Sequence, residues 1–235
     1  MICKLADFII DFKNSTEAMD HFLEGYKFCG KPQLVIEVTP EEVEAARYIT
    51  PTTVNTIQGE INAFYKKLID LIPNYDAFNI HASLIDVNGN GVAFLAQSGT
   101  GKTTHTLLWQ KLLGKKVQII NGDKPIIRFL NNTPYGYGTP WCGKERLSKN
   151  AKVPIKHICF IERAAENSCK KITSKEALNF VFSQVFMPHD SKAAIKTLEL
   201  LDSLLKSVDI WVIKCNTDIS AAMTAYNKIF EGETL

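Results

Sequence analysis

The sequence predicts an α/β protein whose core is a mixed β-sheet around a phosphate-binding loop. Two apolar runs, Ala77–Val87 and Val92–Leu95, flank a turn, and a glycine-rich loop follows the second run. A helix over Lys102–Leu113 and an apolar strand over Val117–Ile120 come next. Strand, loop, helix and strand in this order are typical of a phosphate-binding α/β core. We therefore expect a boundary near residue 75, between a small N-terminal α/β portion (residues 1–75) and a larger P-loop core (residues 76–235).

The N-terminal portion alternates short apolar runs with helix-start signals. Asn14 precedes the first expected helix, with Glu17 three residues on. Thr39 and Pro40 form a stronger start, because they supply a capping hydroxyl and a proline at the first helical position, with Glu42 at the third. Pro73 is expected to end the last helix of this portion. We predict strands over Leu5–Phe12 and Leu34–Val38, and helices over Thr16–Tyr26 and Val54–Leu71.

The larger core is expected to begin with a hairpin. Asn88-Gly89-Asn90-Gly91 separates the two apolar runs, and its Asn-Gly pairs supply the positive-φ positions of a tight turn. No repeat or long linker interrupts the rest of the core. Beyond the first helix and strand, we predict strands over Ile126–Leu130, His157–Ile161 and Ile210–Lys214, and helices over Lys175–Phe186, Lys192–Lys206 and Ile219–Phe230.

Composition argues against several classes of protein. The 235 residues are 46% apolar and 22% charged with a net charge of +2, which is ordinary for a globular protein and does not favour nucleic acid as a partner. The apolar run Leu5–Ile10 is interrupted by Asp7 and is shorter than a secretory signal or a membrane span. The six cysteines are scattered without Cys-x-x-Cys spacing, which indicates free thiols and no zinc site. We expect a cytoplasmic protein that binds neither nucleic acid nor membrane.

The glycine-rich loop carries a Walker A pattern, with Ala96 in place of its first glycine. The two later glycines let the backbone turn its N–H groups toward phosphate oxygens, and the following helix directs its positive end to the same place. Lysine adds a charge for the β and γ phosphates, and the hydroxyl after it can bind Mg²⁺. The alternative is a loop that only connects a strand to a helix. The predicted phosphate ligands are Ser98, Gly99, Thr100, Gly101, Lys102, Thr103 and Thr104.

Asp123 is the candidate acid for phosphoryl transfer. It follows the predicted strand Val117–Ile120, 20 residues after Thr103 (123 − 103 = 20), and the end of that strand should lie beside the phosphate loop. A carboxylate there can bind metal or accept the acceptor's proton, and the sequence does not separate these two roles. The alternative is an aspartate in an ordinary Gly-Asp turn.

Two further features are weaker candidates. His81 lies in the apolar run before the hairpin, where a lone histidine is most often a buried structural residue. The Tyr137–Lys144 segment is rich in glycine and proline and contains Trp141. Loops of this composition often cover a substrate, although a plain surface turn explains them equally well.

The His81 strand, the hairpin and the glycine-rich loop together resemble a known family. The order of the His81 strand, the hairpin and the glycine-rich loop resembles the catalytic domain of HPr kinase/phosphorylase, and the loop also resembles that of phosphoenolpyruvate carboxykinase. The resemblance implies a P-loop phosphoenolpyruvate carboxykinase/HPr kinase-like mixed sheet with a small N-terminal α/β portion. Small HPr-kinase-related bacterial proteins, including kinases that tailor ribosomal peptides, look closer still, on Tyr137–Trp141, Phe160–Arg163 and Ile210–Asn216.

The resemblance implies roles for individual residues. Lys102 corresponds to the phosphate ligand, Thr103 to the Mg²⁺ ligand, and His81 to the family's active-site histidine. Asp123 corresponds to the second acid of an Asp-Asp pair, and Gly122 stands where the first acid would be. The Leu-Glu-Val-Arg-Gly signature of HPr kinase/phosphorylase is absent, so neither phosphorylase activity nor HPr as substrate is expected. HPr kinases are hexameric, which implies a homo-oligomer here without indicating an interface.

The sequence analysis therefore predicts an ATP- and Mg²⁺-dependent kinase. Its acceptor is expected to be a serine or threonine hydroxyl of a peptide or protein, with Asp123 or His81 as the general base. Two alternatives stay open: a nucleotide-binding switch protein without an acceptor, and a small-molecule kinase acting on a compound such as a free amino acid. Neither the acceptor nor the preferred nucleotide base is specified by these motifs.

Overall fold

A computed structural model describes residues 1–47 and 56–231 of the chain. The described residues form a mixed α/β protein with a small N-terminal three-stranded sheet and a curled nine-stranded mixed sheet. None of the described helices is both long enough and apolar enough to cross a lipid bilayer.

The N-terminal sheet contains β1 (Ile2–Leu5), β2 (Phe8–Lys13) and β3 (Leu34–Glu37). The prediction of one strand over Leu5–Phe12 is wrong, because Ala6 and Asp7 both adopt positive φ and reverse the chain, so that Leu5 pairs with Phe8 across an antiparallel hairpin. β3 pairs with β2 in parallel, which confirms the strand predicted over Leu34–Val38.

Within residues 1–47 and 56–75, three helices accompany this sheet: α1 (Glu17–Phe22), α2 (Pro40–Arg47) and α3 (Thr56–Leu71). Thr16, not Asn14, caps α1, and α1 ends before a 3₁₀ turn at Glu24–Tyr26, so the predicted continuous helix to Tyr26 is wrong. The helix start at Thr39 is confirmed by a capping box, in which the side chains of Thr39 and Glu42 each accept from the other's backbone N–H. Val54, the predicted start of α3, lies outside the described residues; the end of α3 before Pro73 is confirmed.

The large sheet consists of β4 (Ala77–Asn79), β5 (Ala82–Val87), β6 (Asn90–Leu95), β7 (Val117–Asn121), β8 (Ile126–Leu130), β9 (Thr133–Tyr137), β10 (Lys152–Arg163), β11 (Ser168–Ile172) and β12 (Asp209–Cys215). Its order is β4-β8-β9-β10-β6-β5-β7, and β12 joins β10 with β11 at its other edge. β10 pairs antiparallel with β9 through its first residues and parallel with β6 and β12 further along. The long strand β10 therefore joins the antiparallel part of the sheet, which contains β9, to the part that contains β6 and β12.

The predicted hairpin is confirmed. Val87 pairs with Asn90, and the two residues between them, Asn88 and Gly89, both have positive φ. The single strand expected over Ala77–Val87 is instead two strands, interrupted at residues 80 and 81. β4 pairs with β8, whereas β5 pairs with β6 and β7, so this apolar run changes partners at His81.

Four helices complete the core: α4 (Lys102–Leu113), α5 (Ser174–Val181), α6 (Ser191–Ser207) and α7 (Ile219–Ile229). The prediction for α4 is confirmed at both ends, and those for α6 and α7 to within one residue. The helix expected to reach Phe186 ends at Val181, because the chain passes through a 3₁₀ turn at Phe182–Gln184 and then becomes extended.

The large sheet is covered on both faces. Leu84 and Phe160 pack toward α5 and α6, whereas Ile85 and Cys159, their neighbours in sequence, pack toward α4 and α7. A third cluster joins the N-terminal sheet and α3 to Ile126, Tyr137 and Trp141. Apolar packing is thus continuous across residue 75, and the domain boundary proposed there stays a prediction.

Candidate functional site

Three chain segments meet at one edge of the large sheet. Ala82, the first residue of β5, pairs with Leu95, the last residue of β6, and its N–H donates to the carbonyl oxygen of Asp123 at 2.9 Å. Because β5 runs antiparallel to β6 and β7, its start lies beside their ends. This register brings His81, the loop at residues 96–101 (the glycine-rich loop below) and Asp123 to the same edge.

His81 and Asp123 form a direct side-chain pair. Nε2 of His81 lies 3.1 Å from Oδ1 of Asp123, and both side chains are about one quarter exposed, at 22% and 27%. Nδ1 of His81 lies 3.1 Å from Oε1 of Gln184, and the His81 N–H donates to the Gln184 carbonyl oxygen at 2.7 Å. Gln184 therefore fixes the histidine from the side opposite Asp123. Sequence reasoning did not identify Gln184, which is 103 residues away along the chain.

The charge of Asp123 is stabilised by its surroundings. Burial alone would raise the pKa of its carboxyl group. The hydrogen bond from His81 and the positive charges of His81, Lys124 and Lys102 outweigh that effect, so the pKa of Asp123 lies below the usual value for aspartate. The carboxylate is therefore ionised at neutral pH, as an acceptor of a proton or a metal ligand must be.

Asn121 shapes the turn that carries Asp123. Its side chain is fully buried, and its Oδ1 accepts from the N–H groups of Asp123 and Lys124 at 2.9 and 2.7 Å. Its Nδ2 donates to the carbonyl oxygen and the hydroxyl of Thr139 at 3.0 and 3.1 Å. This is the Asx-turn use of asparagine, with the far end of the amide anchored on a second loop. Asn121, which follows the predicted strand Val117–Ile120, was not among the residues singled out from the sequence.

The Tyr137–Lys144 segment lies against this turn. Thr139 is fully buried and donates from its hydroxyl to the Lys124 carbonyl oxygen at 2.7 Å. Trp141 is buried, with its ring centroid 5.2 Å from that of Tyr65. The first part of the segment therefore packs against the Asp123 turn and stabilises it. Only the end of the segment, from Gly143, is exposed.

The glycine-rich loop has an open concave backbone. Gly99 and Gly101 have φ of +76° and +122°, and a Cβ at either position would meet no atom within 4 Å. Gly101 caps α4 without a side-chain hydrogen bond. Positive φ without crowding is the conformation in which successive N–H groups can turn toward a bound anion. Ser98 and Thr104 are exposed, and Thr100 and Thr103 are half-buried beside them.

Lys102 is folded back into the loop. It is 8% exposed and donates from Nζ to the Ala96 carbonyl oxygen at 2.9 Å. Burial lowers the pKa of Lys102, and the nearby negative charge of Asp123 opposes that shift. Lys102 therefore lies within electrostatic range of Asp123 and closes the loop on itself.

Arg163 holds the outer side of the loop. It lies at the end of β10, and its guanidinium donates from Nε to the Thr100 carbonyl oxygen at 3.0 Å and from Nη2 to the Gly99 carbonyl oxygen. A cleft of about 310 Å³ runs from this arginine along residues 95–97 to Gln184. The cleft thus connects the loop to the residue that orients His81. A larger cavity, about 580 Å³, lies at the other end of β5 and β7 and contains none of the candidate residues.

The donor set fits a metal ion only together with a phosphate ligand. Within residues 1–47 and 56–231, no three side chains of His, Cys, Asp or Glu converge as a metal site. Thr103 and Asp123 could supply two oxygen ligands. Mg²⁺ commonly keeps several waters and takes its remaining ligands from substrate phosphates, so two protein oxygens are consistent with a nucleotide-bound ion.

Comparisons with known proteins do not assign the chain to a family. No family model matches the chain, and no curated protein matches it either. Among solved structures, the HPr(Ser) kinase/phosphatase from Coxiella burnetii matches 52% of this chain and 86% of its own, with 12% sequence identity and a TM-score of 0.29. This is a weak, fold-level resemblance, and the function proposed below rests on the geometry of the site.

Proposed function

We propose that the protein is an ATP-dependent kinase that transfers the γ-phosphoryl group to a hydroxyl, with a serine or threonine of a peptide or protein as the acceptor. The observation that supports this best is the His81–Asp123 pair, at 3.1 Å, on the same sheet edge as the glycine-rich loop. A phosphate cradle and an ionised carboxylate side by side are the two parts that phosphoryl transfer requires of a protein.

The glycine-rich loop acts as a P-loop in this proposal. The amides of Gly99, Gly101, Lys102 and Thr103 at the uncapped start of α4 would bind the phosphate oxygens of the nucleotide, whereas the Thr100 N–H already donates to the Gln97 carbonyl oxygen at 3.1 Å. Lys102 would exchange its hydrogen bond to Ala96 for the β and γ phosphates. Ser98, Thr100 and Thr104 flank the same cradle and provide additional hydroxyl donors.

Asp123 is the group that receives the acceptor's proton. The acceptor oxygen forms a bond to the γ-phosphorus, the bond from that phosphorus to the β–γ bridging oxygen breaks, and the electron pair leaves with ADP. The hydroxyl proton passes to the Asp123 carboxylate, which His81 holds in place through Nε2. A carboxylate with a lowered pKa is a weak base, which is sufficient here because the transition state of phosphoryl transfer is loose and needs mainly orientation of the nucleophile.

Mg²⁺, when bound, would supply positive charge that neutralises the phosphate groups of the nucleotide. Thr103 and Asp123 are the residues that would hold it. Asp123 is the single carboxylate in this turn, because Gly122 leaves no room for a neighbouring acid. A Cβ at Gly122 would lie 2.9 Å from the Cys142 carbonyl oxygen.

The test uses Lys102→Ala and Asp123→Asn, with Lys111→Ala as the matched control, since Lys111 is an exposed lysine on the same helix. Binding of a fluorescent ATP analogue and release of ADP are measured with Mg²⁺, together with a thermal melt. We expect Lys102→Ala to lose nucleotide binding and Asp123→Asn to bind but not turn over. A folded Lys102→Ala protein with the parent's affinity and rate would refute the assignment.

The lone acid also favours a second function, a nucleotide-dependent switch without an acceptor. Gly122 occupies the place where the resemblance implies a first acid, and one carboxylate is enough to bind a nucleotide–metal complex without transferring its phosphate. Tight nucleotide binding together with no phosphate transfer to peptides or small hydroxyl compounds would favour the switch.

A further inference from the structure

A mostly apolar cavity of about 250 Å³ adjoins the turn that carries Asp123. We call it the aromatic cavity. Its walls come from α3 and from the extended chain that follows the 3₁₀ turn at Phe182–Gln184, and Lys124 forms its inner end. The lining residues are Asn62, Tyr65, Lys66, Ile69, Lys124, Phe186, Met187 and His189.

The walls of the aromatic cavity are held in place by one buried residue. The lining positions of α3 are spaced i, i+3, i+4 and i+7, which places them on one face of the helix. Tyr65 on that face donates its hydroxyl hydrogen bond to Oδ1 of Asn79, and the N–H of Phe186 on the opposite wall donates to the Asn79 carbonyl oxygen at 3.2 Å. Nδ2 of Asn79 also donates to the Lys124 carbonyl oxygen at 3.1 Å. Both walls and the inner end are therefore preformed.

The aromatic cavity carries positive charge from two lysines, Lys124 and Lys66, whereas its His189 is paired with the carboxylate of Asp70 at 3.5 Å. Nζ of Lys124 lies 4.6 Å from the ring centroid of Tyr65 and 5.4 Å from that of Phe186. Among the residues that the structure describes, neither Lys124 nor Lys66 forms a salt bridge, and no acidic side chain lines the cavity. Burial lowers the pKa of Lys124, and the negative charge of Asp123 opposes this effect. A partly buried ammonium ion on aromatic rings is well placed to bind an anion from a ligand.

The aromatic cavity lies close to the place where the acceptor hydroxyl would contact Asp123. Lys124 directly follows Asp123 in the chain, and consecutive Cα atoms are about 3.8 Å apart. The ring centroid of Phe186 lies 6.5 Å from that of His81. A peptide whose hydroxyl contacts Asp123 spans about 3.3 to 3.6 Å per residue, so its next residue or the one after reaches this cavity.

We propose that the aromatic cavity is an acceptor subsite, which rests on the kinase function proposed above. It takes a large aliphatic or aromatic side chain close to the phosphorylated serine or threonine, and Lys124 pairs with the carboxylate of an aspartate or glutamate beside that side chain. The apolar walls select the first group, and the ammonium ion of Lys124, which forms no salt bridge among the described residues, selects the second. The acceptor is thus a peptide segment that combines an apolar and an acidic residue next to its hydroxyl residue.

The experiment uses a library of peptides with a central serine, in which each flanking position is fixed in turn to one amino acid. The parent protein and the variants Lys124→Gln, Lys66→Gln and Lys67→Gln are incubated with the library, ATP and Mg²⁺, and incorporated phosphate is measured. Lys67 is the matched control, because it is the next lysine on α3, pairs with Glu42 at 2.8 Å and does not line the cavity. Thermal melts and binding of a fluorescent ATP analogue are measured on every variant.

We expect the parent to select an apolar or aromatic residue and an acidic residue near the serine, and Lys67→Gln to keep that selection. Lys124→Gln should lose at least about tenfold of the preference for the acid and keep the apolar preference. If Lys124→Gln does not fold, Lys66→Gln at the cavity wall should show a smaller loss of the same preference. An acid preference retained in folded Lys124→Gln and Lys66→Gln, phosphorylation of the peptides without flanking preference, or no phosphorylation of any peptide would refute the subsite. A parent that binds no ATP analogue would instead refute the kinase function itself.

Discussion

Arg163, at the end of β10, is hydrogen-bonded through Nε to the carbonyl oxygen of Thr100 at 3.0 Å. A second donor of the same guanidinium reaches the Gly99 carbonyl oxygen. In a trans peptide the C=O and the following N–H point in opposite directions. Arg163 therefore draws the carbonyl of Thr100 outward, and the N–H of Gly101 turns toward the inside of the loop. An exposed side chain from a different strand thus sets the orientation of the proposed phosphate ligands.

The first prediction concerns that arginine. Arg163→Ala should weaken binding of a fluorescent ATP analogue by about tenfold, since two charge-assisted hydrogen bonds to an exposed loop are lost. Arg163→Lys should retain part of the affinity, because a single ammonium ion can satisfy one carbonyl but not both. Lys170→Ala, on the exposed strand β11, is the control and should bind as the parent does. Equal affinities for Arg163→Ala and the parent would show that the loop holds its shape without the arginine.

Much of the fold follows from local signals in the sequence. The hairpin at Asn88-Gly89 and the helix Lys102–Leu113 are confirmed because a turn and a helix start depend on residues within a few positions of one another. The break at His81 was not predictable in the same way. Both halves of the run Ala77–Val87 are apolar and buried, and only the change of pairing partner separates them.

Two strands were missed for different reasons. β9 contains Pro134 and Gly136, which are poor strand formers, and it is stabilised by pairing on both sides with β8 and β10. β11 is mostly exposed and lacks an apolar run, so only its pairing with β12 defines it. Local sequence patterns do not indicate which strand, distant in the sequence, a given strand will pair with.

In the candidate site, too, residues with local sequence signals were predicted and residues placed by long-range contacts were not. His81 and Asp123 were both singled out from the sequence, and the structure brings them to 3.1 Å; their catalytic roles stay predictions. Gln184 and Arg163 contact residues 103 and 63 positions away, and no local pattern indicates such contacts. Asn121 carried a usable signal, since an asparagine at a strand end before Gly-Asp is typical of an Asx turn.

The second prediction concerns Asn121. Asn121→Ala should lower the free energy of unfolding by about 2 to 4 kcal/mol, because it leaves the buried donors and acceptors of the Asp123 turn and Thr139 without partners. Urea unfolding measures the change. Gln118→Ala, on the same strand and half-buried, is the control and should change stability by less than about 1 kcal/mol. A similar loss in both variants would mean that the Asn121 network contributes little.

The third prediction is a pH dependence. The pKa of Asp123 is lowered in the folded protein, so the folded chain binds fewer protons than the unfolded chain near the usual aspartate value of 3.8. The contribution of Asp123 to stability is therefore present above that value and is lost as the pH falls through the lower, folded pKa. His81→Asn removes the hydrogen bond and the charge that lower this pKa, so the acid limb of the ATP turnover profile should move to higher pH.

Turnover of the parent and of His81→Asn is measured across the acid range, with nucleotide affinity determined at each pH. His21→Asn is the control, because His21 is an exposed residue of α1 and lines neither the candidate site nor the aromatic cavity. An unchanged acid limb in His81→Asn, with folding and nucleotide affinity retained, would exclude Asp123 as the group that His81 assists.

The last prediction concerns Gly122, the residue that precedes Asp123. Gly122 is buried, and an added Cβ would lie 2.9 Å from the carbonyl oxygen of Cys142 and 3.3 Å from Cβ of Leu147. The Cys142 carbonyl is part of the backbone that packs against the Asp123 turn, so it cannot move without displacing the turn. Gly122→Ala should therefore lower the free energy of unfolding by about 1 to 3 kcal/mol, in the manner of an overpacked core. Gly122→Asp should cost more and should not raise ATP turnover.

Gly25→Ala is the matched control, because a Cβ at Gly25 would meet no atom within 4 Å. Its stability should change by less than about 0.5 kcal/mol, as is usual for an uncrowded surface substitution. If Gly122→Asp instead folded with the parent's stability and turned over ATP faster, a second acid would be compatible with this turn. The crowding around Gly122 would then not explain why the proposed site uses a single acid.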